Sequence, residues 1–491
     1  MQLFVNHTNF CQSTSLHGFS YIARDDLTKA ERIFWIIAVF AALITCMALM
    51  LAAYFWNSNS IPTVTVIDSS HYPIWQVPFP AITLCNFNKI SKRKALQLLK
   101  IMGRPPNVTE SQILNSFRMM MHYKISRSDF HLNFDLMEKL LKANNWTLGD
   151  LREKLTPNCL EMMMKCVWKG SEQRCDNLFQ SIPTLSGQCC SFNYYGEYKN
   201  NFPVKIRYQI PKRPYRVTGC GYTTGLTLML DPMVDDYIAN GISGYGFRLV
   251  IHDPYNMPDE NAETKLVTSS TESFIRISPE STYATENVRE MDVNLRNCLF
   301  SNERILRISQ RYSFINCLAE CRLNYAQKKC NCISVTENLF KDENKRECSL
   351  KEHHCLMENK VLNDFNKTLL PIQSPSASNF PCNCRPDCEF NHYTSELSSG
   401  KLNMKLSANE SENKKPDTYK SDNILLHAFF GGLMATRYRR EIYTTGLSDS
   451  ANFGGILGLF TGISIVSAFE FVYYFTLRPI FNYFNNRLND L

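Results

Sequence analysis

Phe453-Gly-Gly-Ile-Leu-Gly-Leu-Phe-Thr-Gly-Ile-Ser464 runs on through Ile465 and Phe469 to a single carboxylate, Glu470, and ends near Leu477. The reading of the whole chain turns on this stretch. At about 1.5 Å per residue a continuous helix over 453–477 is roughly 37 Å long, enough to cross a bilayer core with some tilt. A helix that only anchors needs neither glycines nor an acid. This one carries Gly454, Gly455, Gly458, Gly462, Ser464 and Glu470, and an ionisable group at membrane depth marks function. The stretch reads as a segment that lines a pore. On a straight helix Glu470 falls eight residues past Gly462, on nearly the same face.

A second apolar stretch, 33–55, is uncharged, with Thr45 and Tyr54 its polar interruptions. A polar segment of 32 residues precedes it and no small-residue cleavage site follows, so it reads as a span rather than a signal peptide. Arg24, Lys29 and Arg32 lie just before it, and the next basic residue is Lys89. The positive-inside rule then places the N-terminus in the cytosol, and two spans return residues 478–491 to the same side. Arg437, Arg439 and Arg440 lie on the outer side of the second span, on a large translocated domain where that rule is weak.

Between the spans lie about four hundred residues, ample for a core of their own. The net charge of +7 is spread out, and no basic stripe with interleaved aromatics suggests nucleic acid. Of 19 cysteines, Cys11 and Cys46 fall in the tail and the first span; the rest lie between the spans, as an oxidising compartment allows. Asn107, Asn145, Asn366 and Asn409 each begin a glycosylation sequon in the same region. Ten cysteines cluster after residue 297. Cys317 and Cys321 are i and i+4 on one face of an expected helix, facing the run Cys382-Asn-Cys-Arg-Pro-Asp-Cys388. Spacing leaves about nine hundred pairings of the ten open, and a zinc reading of the Cys-x-Cys pairs competes with a disulfide ladder. Elsewhere the periodicity predicts helices over 91–102, 110–123 and 133–155, the last broken at Asn144-Asn145. Strands are predicted at 204–210, 226–230 and 247–252, and surface loops at 374–378 and 398–423.

Several motifs in order carry a resemblance. Leu16-His17-Gly18 precedes the first span and Pro78-Phe79-Pro80-Ala81-Ile82-Thr83-Leu84-Cys85-Asn86 follows it. Gly187-Gln188-Cys189-Cys190-Ser191-Phe192-Asn193, Gly225-Leu226-Thr227 and Arg296-Asn297-Cys298-Leu299-Phe300-Ser301 come next. The cysteine cluster and Asn452-Phe453-Gly454-Gly455 close the series. From about His17 to Arg478 the chain resembles the degenerin/epithelial sodium channel family, most of all its insect pickpocket branch.

The resemblance implies an α+β membrane protein, two transmembrane helices flanking a large disulfide-rich extracellular domain of palm, β-ball, finger, thumb and knuckle, assembled as a trimer. It divides the chain into a cytosolic N-terminus (1–32), a first span (33–55), the extracellular domain (56–450, thumb 298–388), a pore-lining span (451–477) and a short cytosolic C-terminus (478–491). It implies thumb pairings Cys298–Cys388, Cys317–Cys384, Cys321–Cys382, Cys330–Cys355 and Cys332–Cys348, with Cys85–Cys189 and Cys166–Cys175 elsewhere. Of the remaining three, Cys190–Cys220 is the expected bond, with Cys159 odd. Gly462-Ile463-Ser464 matches the family's selectivity filter, with Glu470 a pore carboxylate. His17-Gly18 matches its cytosolic gating motif, and Ala451 the position where a bulky side chain wedges the pore open.

Two departures matter. Further pore acids of some relatives are Tyr473 and Tyr474 here, and the tryptophan that acid-sensing relatives place before the first thumb cysteine is Arg296. Proton gating is therefore not supported. The function implied is a sodium-selective, amiloride-sensitive channel subunit of the plasma membrane, gated by extracellular-domain motion in sensory or epithelial cells. Its partners would be sodium ions, the bilayer, related subunits in a homo- or heterotrimer and an extracellular ligand or matrix. The alternatives are an accessory subunit or surface receptor that works only in a heteromer, and an ATP-gated channel, against which the cysteine ladder and the filter argue. No nucleophile elbow, metal-binding His pair or phosphate loop is present, so no catalytic centre, metal or cofactor is expected.

Overall fold

The computed structural model describes residues 10–59, 63–121, 130–184, 187–196, 213–240, 242–259, 262–309, 311–333, 346–350, 352, 355–356, 382–403, 420–443 and 446–481. Asn366, Asn409, the strand expected at 204–210 and the loop expected at 374–378 lie outside them. The chain divides into two compact units, one of residues 1–64, 290–296 and 441–491, the other of residues 65–289 and 297–440.

The larger unit is built on two main sheets, beside a two-stranded pairing of Asn88–Ser91 with Tyr237–Asn240. One has the order β1 (Thr63–Pro73), β15 (Met434–Ile442), β12 (Thr271–Ala284), β14 (Ile424–Phe430), β8 (Leu226–Leu230), β4 (Met163–Trp168), β5 (Ser171–Gln173), with β13 (Phe390–Lys401) also on β12. The other runs β11 (Glu263–Thr268), β10 (Gly246–His252), β2 (Ala81–Asn86), β7 (Gly187–Phe192), β6 (Phe179–Thr184). Leu226, Leu228 and Leu230 alternate inward along β8, as a strand buried on one face requires. All six residues of β2 are buried, the mark of a strand covered on both faces. Ile82 and Leu84 join the core with Phe79, Trp168, Phe192, Phe247, Ile275 and Phe430. On the opposite face Thr83 Oγ1 meets Ser191 Oγ and His252 Nε2, each at 2.8 Å. Burial lowers His252 to about 4, so it sits neutral in this network. Residues 398–401 (Ser-Ser-Gly-Lys), read from sequence as loop, continue β13: Ser398 to Lys401 pair with Phe274 to Thr271. Their polarity reflects an exposed edge rather than a turn.

Four helices form a separate cluster: Lys92–Ile101, Glu110–Met121, Phe130–Asn144 and Leu148–Leu155. Ala95, Leu98 and Leu99 share one face of the first and pack with Ile113, Phe117, Leu140, Leu151 and Leu155. The break at Asn144-Asn145 has two local causes. Asn145 takes a left-handed φ of 52°, and Thr147 starts the next helix in a capping box with Asp150. Asn107 and Asn145 are both exposed.

Eight disulfides join the described cysteines. Cys317 and Cys321, one turn apart on the Phe314–Cys330 helix, bond to Cys384 and Cys382, with Cα separations of 5.9 and 5.8 Å. Cys298–Cys388 closes 90 residues, and Cys330–Cys355 and Cys332–Cys348 cross the helix's C-terminal end. Cys85–Cys189 joins the neighbouring strands β2 and β7, and Cys166–Cys175 joins β4 to the short helix Cys175–Leu178. One expectation is overturned: Cys190 bonds to Cys159, and Cys220 is the free thiol. Successive residues of a strand point to opposite faces. Cys189 therefore faces Cys85 on neighbouring β2, while Cys190 faces the core, where the short turn Cys159–Met162 lies.

Asp387, between two of these bonds, receives the Phe314 N–H on both carboxylate oxygens at 3.2 Å, at the start of the Phe314–Cys330 helix. Burial pushes it up to about 7 and the nearby Asp253 charge adds to this, against the opposing pull of that N–H, Arg311 and Arg440.

Two predictions follow from this packing. Under denaturing, non-reducing conditions a thiol reagent should label Cys11, Cys46 and Cys220, and Cys220→Ser should lower the count by one. Were Cys190 bonded to Cys220, the same substitution would raise it. Cys159→Ser should cost roughly 2–5 kcal/mol of stability. The second concerns pH. The folded Asp387 holds its proton up to about 7, whereas an unfolded carboxylate releases it near ~3.9. Its contribution to stability is thus most favourable below ~4 and declines as pH rises towards 7. Asp387→Asn should flatten the decline in Tm of the full-length protein over that window; parallel curves would overturn the assignment.

Candidate pore segment

The C-terminal apolar stretch is not one straight helix. It forms a helix over Gly446–Thr461, a break at 462–464, a helix over Ile465–Val472 and a π-helical turn over Tyr473–Leu477. The two arms bend by 64°, so the expected alignment of Gly462 with Glu470 on a continuous helical face does not hold. The Lys29–Asn59 helix, by contrast, is unbroken, and its residues 29–55 are apolar and long enough to span a membrane.

The break follows from local chemistry. Gly462 closes the first arm through its N–H to the Gly458 carbonyl at 3.0 Å, then turns out with φ 71°, a conformation open to glycine. Ser464 is extended and caps the second arm: its Oγ accepts from Ser467 N–H, and Ser467 Oγ accepts from Ser464 N–H, both at 3.2 Å. Ser467 Oγ also donates to the Gly462 carbonyl at 3.3 Å, and Ile463 N–H reaches Thr461 Oγ1 at 3.3 Å. The hydroxyls of the Gly-Ile-Ser neighbourhood therefore take over bonds that the helix gives up.

The N-terminal segment completes the site. His17 N–H donates to the Thr461 carbonyl at 3.0 Å, and its ring lies against Gly462: a Cβ there would stand 2.8 Å from His17 Cδ2. Gly18, with φ 80°, abuts the first span, where a Cβ would stand 2.6 Å from Val39 Cγ2. Tyr21 stacks on Trp35 at 4.3 Å. On the other side of His17, Phe10 packs edge-on against Phe471 and Tyr474. Glu470 Oε2 receives Thr14 Oγ1 at 3.2 Å, Ser15 N–H at 3.1 Å and Ser15 Oγ at 3.2 Å. Ser15 Oγ lies 2.9 Å from Ser467 Oγ. The Tyr474 hydroxyl accepts from Ser13 Oγ at 2.6 Å.

The structure thus gathers His17, Gly18, Gly462, Ile463, Ser464 and Glu470 into one neighbourhood. Ala451 is exposed in the first turns of the Gly446–Thr461 helix and does not join them. A Cβ built on Gly454, Gly455 or Gly458 meets nothing within 4 Å, so packing inside one chain does not call for glycine there. Thr14, Ser15 and Ser467 are functional candidates that motif reading missed. The hydroxyl run Ser13-Thr14-Ser15 just before His17-Gly18 was the available signal. No group of metal-binding side chains occurs among the described residues.

A sequence model of the family described as "Amiloride-sensitive sodium channel" matches residues 10–474. The chain belongs to that family. Its members are membrane-bound ion channels, not enzymes, and they form multimers. Sodium channel protein Nach of Drosophila ananassae is 27% identical over 479 residues, 97% of this chain and 87% of the relative. Pickpocket protein 11 of Drosophila melanogaster is 26% identical over 96% of this chain and 76% of its own length. Acid-sensing ion channel 1A of Danio rerio is 24% identical over 94% and 86%.

The geometry makes a testable demand. Gly462→Ala in this sodium channel homologue should lower Tm, because a side chain meets both a left-handed backbone, costing about 1–2 kcal/mol, and the His17 ring. Adding His17→Ala should recover part of the loss. Strict additivity of the two substitutions in the detergent-solubilised protein would show that they do not touch.

Proposed function

We propose that the chain is a subunit of a trimeric, sodium-selective, amiloride-sensitive cation channel whose narrow segment is Gly462-Ile463-Ser464. The break in the second span carries this reading. Irregular backbone at membrane depth is tolerated where it is buried in protein or lines a water-filled path. Here Ile463 is 40% exposed and the arms diverge at residues whose carbonyls and hydroxyl leave the helical ladder, each oxygen keeping a second lone pair for a cation. Three copies around an axis would present these oxygens to a partly dehydrated cation. Glu470, below the break, supplies the negative charge that attracts it. The open glycine face of the upper arm supports close packing against another subunit.

In this reading both termini are cytosolic, the chain crosses the plasma membrane twice and the sheet domain is extracellular. Asn107 and Asn145, with Asn366 and Asn409, are glycosylation acceptors there. Motion of the disulfide-braced domain opens the pore, with Ala451 at the gate and His17-Gly18 bracing the filter from the cytosolic side. Sodium ions, the bilayer, related subunits and an extracellular ligand or matrix are its partners.

The test is voltage clamp of oocytes expressing Ala451→Val, alone and with a related subunit. An inward current that needs external sodium and is blocked by amiloride is expected. Glu470→Gln should reduce its conductance and Ser464→Ala its selectivity. A current indifferent to both substitutions would sink the filter assignment. Surface-labelled protein that conducts only beside a related subunit would make this chain an accessory member of a heteromer.

A further inference from the structure

The two oxygens of Glu470 are treated differently. Oε2 holds three donors, all from the N-terminal segment: Thr14 Oγ1, Ser15 N–H and Ser15 Oγ, at 3.1–3.2 Å. Among the described residues no hydrogen bond reaches Oε1. Thr14 is 8% exposed and Ser467 5%, so the clamp is packed rather than draped on a surface. Phe10 anchors it on one side through Phe471 and Tyr474, and His17 on the other through the Thr461 carbonyl. The clamp also connects to the break. Ser15 Oγ meets Ser467 Oγ, which donates to the Gly462 carbonyl. A carboxylate oxygen engaged by three donors has its charge dispersed and its orientation held.

We infer that Thr14 and Ser15 are positioning residues that set the ion preference of Glu470 by occupying Oε2, leaving one oxygen for a permeating cation. The inference rests on the reading of Glu470 as a pore carboxylate. Calcium gathers six to eight oxygens and commonly takes carboxylates through both of theirs. A carboxylate restricted to one oxygen therefore loses more for calcium than for a monovalent ion. Removing the two hydroxyl donors, with the Ser15 N–H left in place, opens a lone pair on Oε2 to a second contact from the cation and strengthens the field. The preference for monovalent ions is in this way written partly in the cytosolic tail, more than four hundred and fifty residues away in sequence from the acid it acts on.

The test compares calcium block and calcium-to-sodium permeability in the conducting assembly, on the Ala451→Val background. Thr14→Val with Ser15→Ala removes both hydroxyl donors and should tighten calcium block roughly tenfold, the order expected for losing a hydrogen bond to a charged group. Thr14→Ser with Ser15→Thr keeps the hydroxyls and should behave as wild type. In a Glu470→Gln background the hydroxyl deletions should have no further effect. Calcium-dependent rise in Tm of the purified full-length protein gives the same comparison without current: larger for the hydroxyl-deleted protein, absent with Glu470→Gln. If Glu470→Gln changes calcium block while the hydroxyl deletions do not, the clamp is wrong and the pore carboxylate stands. If Glu470→Gln itself changes nothing, the reading beneath the clamp fails as well.

Discussion

A helix interrupted within an apolar stretch leaves N–H and C=O groups without helical partners, and the residues around 462–464 answer that constraint. Thr461, Ser464 and Ser467 bond the freed backbone from within the span. The N-terminal segment supplies the rest, through His17 N–H to the last carbonyl before the break. The break thus persists because a remote stretch of chain is folded against it. That stretch is held in turn by Gly18 against Val39 and by Tyr21 on Trp35. His17, the Gly462-Ile463-Ser464 break and Glu470 thus lie in one hydrogen-bonded neighbourhood.

The sheet unit solves a different problem. Its order is held by two means. The core between the sheets is aromatic, with Phe79 against Trp168, Phe192 and Phe430 at centroid distances of 5.1–6.1 Å. Around the Phe314–Cys330 helix, where core residues are fewer, nested disulfides act instead and restrict the unfolded chain. The half-buried Asp387 at the head of that helix is a cost accepted for a capping bond at the junction.

Much of this was legible. Cys317 and Cys321 declare a helix by their spacing, Leu226 to Leu230 a strand by alternation, and the Asn144-Asn145 break by residues that tolerate left-handed backbone. The small residues and lone acid of the last apolar stretch pointed to the neighbourhood where His17 meets Gly462 and Thr14 meets Glu470. The partner of Cys190 was not legible, because it depends on which face of β7 meets the turn at Cys159. Nor was the strand character of 398–401, whose serines owe their place to twelve residues of pairing with β12 rather than to propensity.

The sequence supplied the residues that allow a break, a glycine followed by a capping serine within three positions, although the apolar run over 453–477 by itself reads as one continuous helix. It also determined that the chain has an apolar membrane-length helix near its start and a cysteine-rich domain after it. The tertiary structure alone decided what Glu470 touches. Its partners Thr14 and Ser15 lie at the far end of the chain, and a hydrogen bond depends on distance in space, which no local pattern of residues encodes.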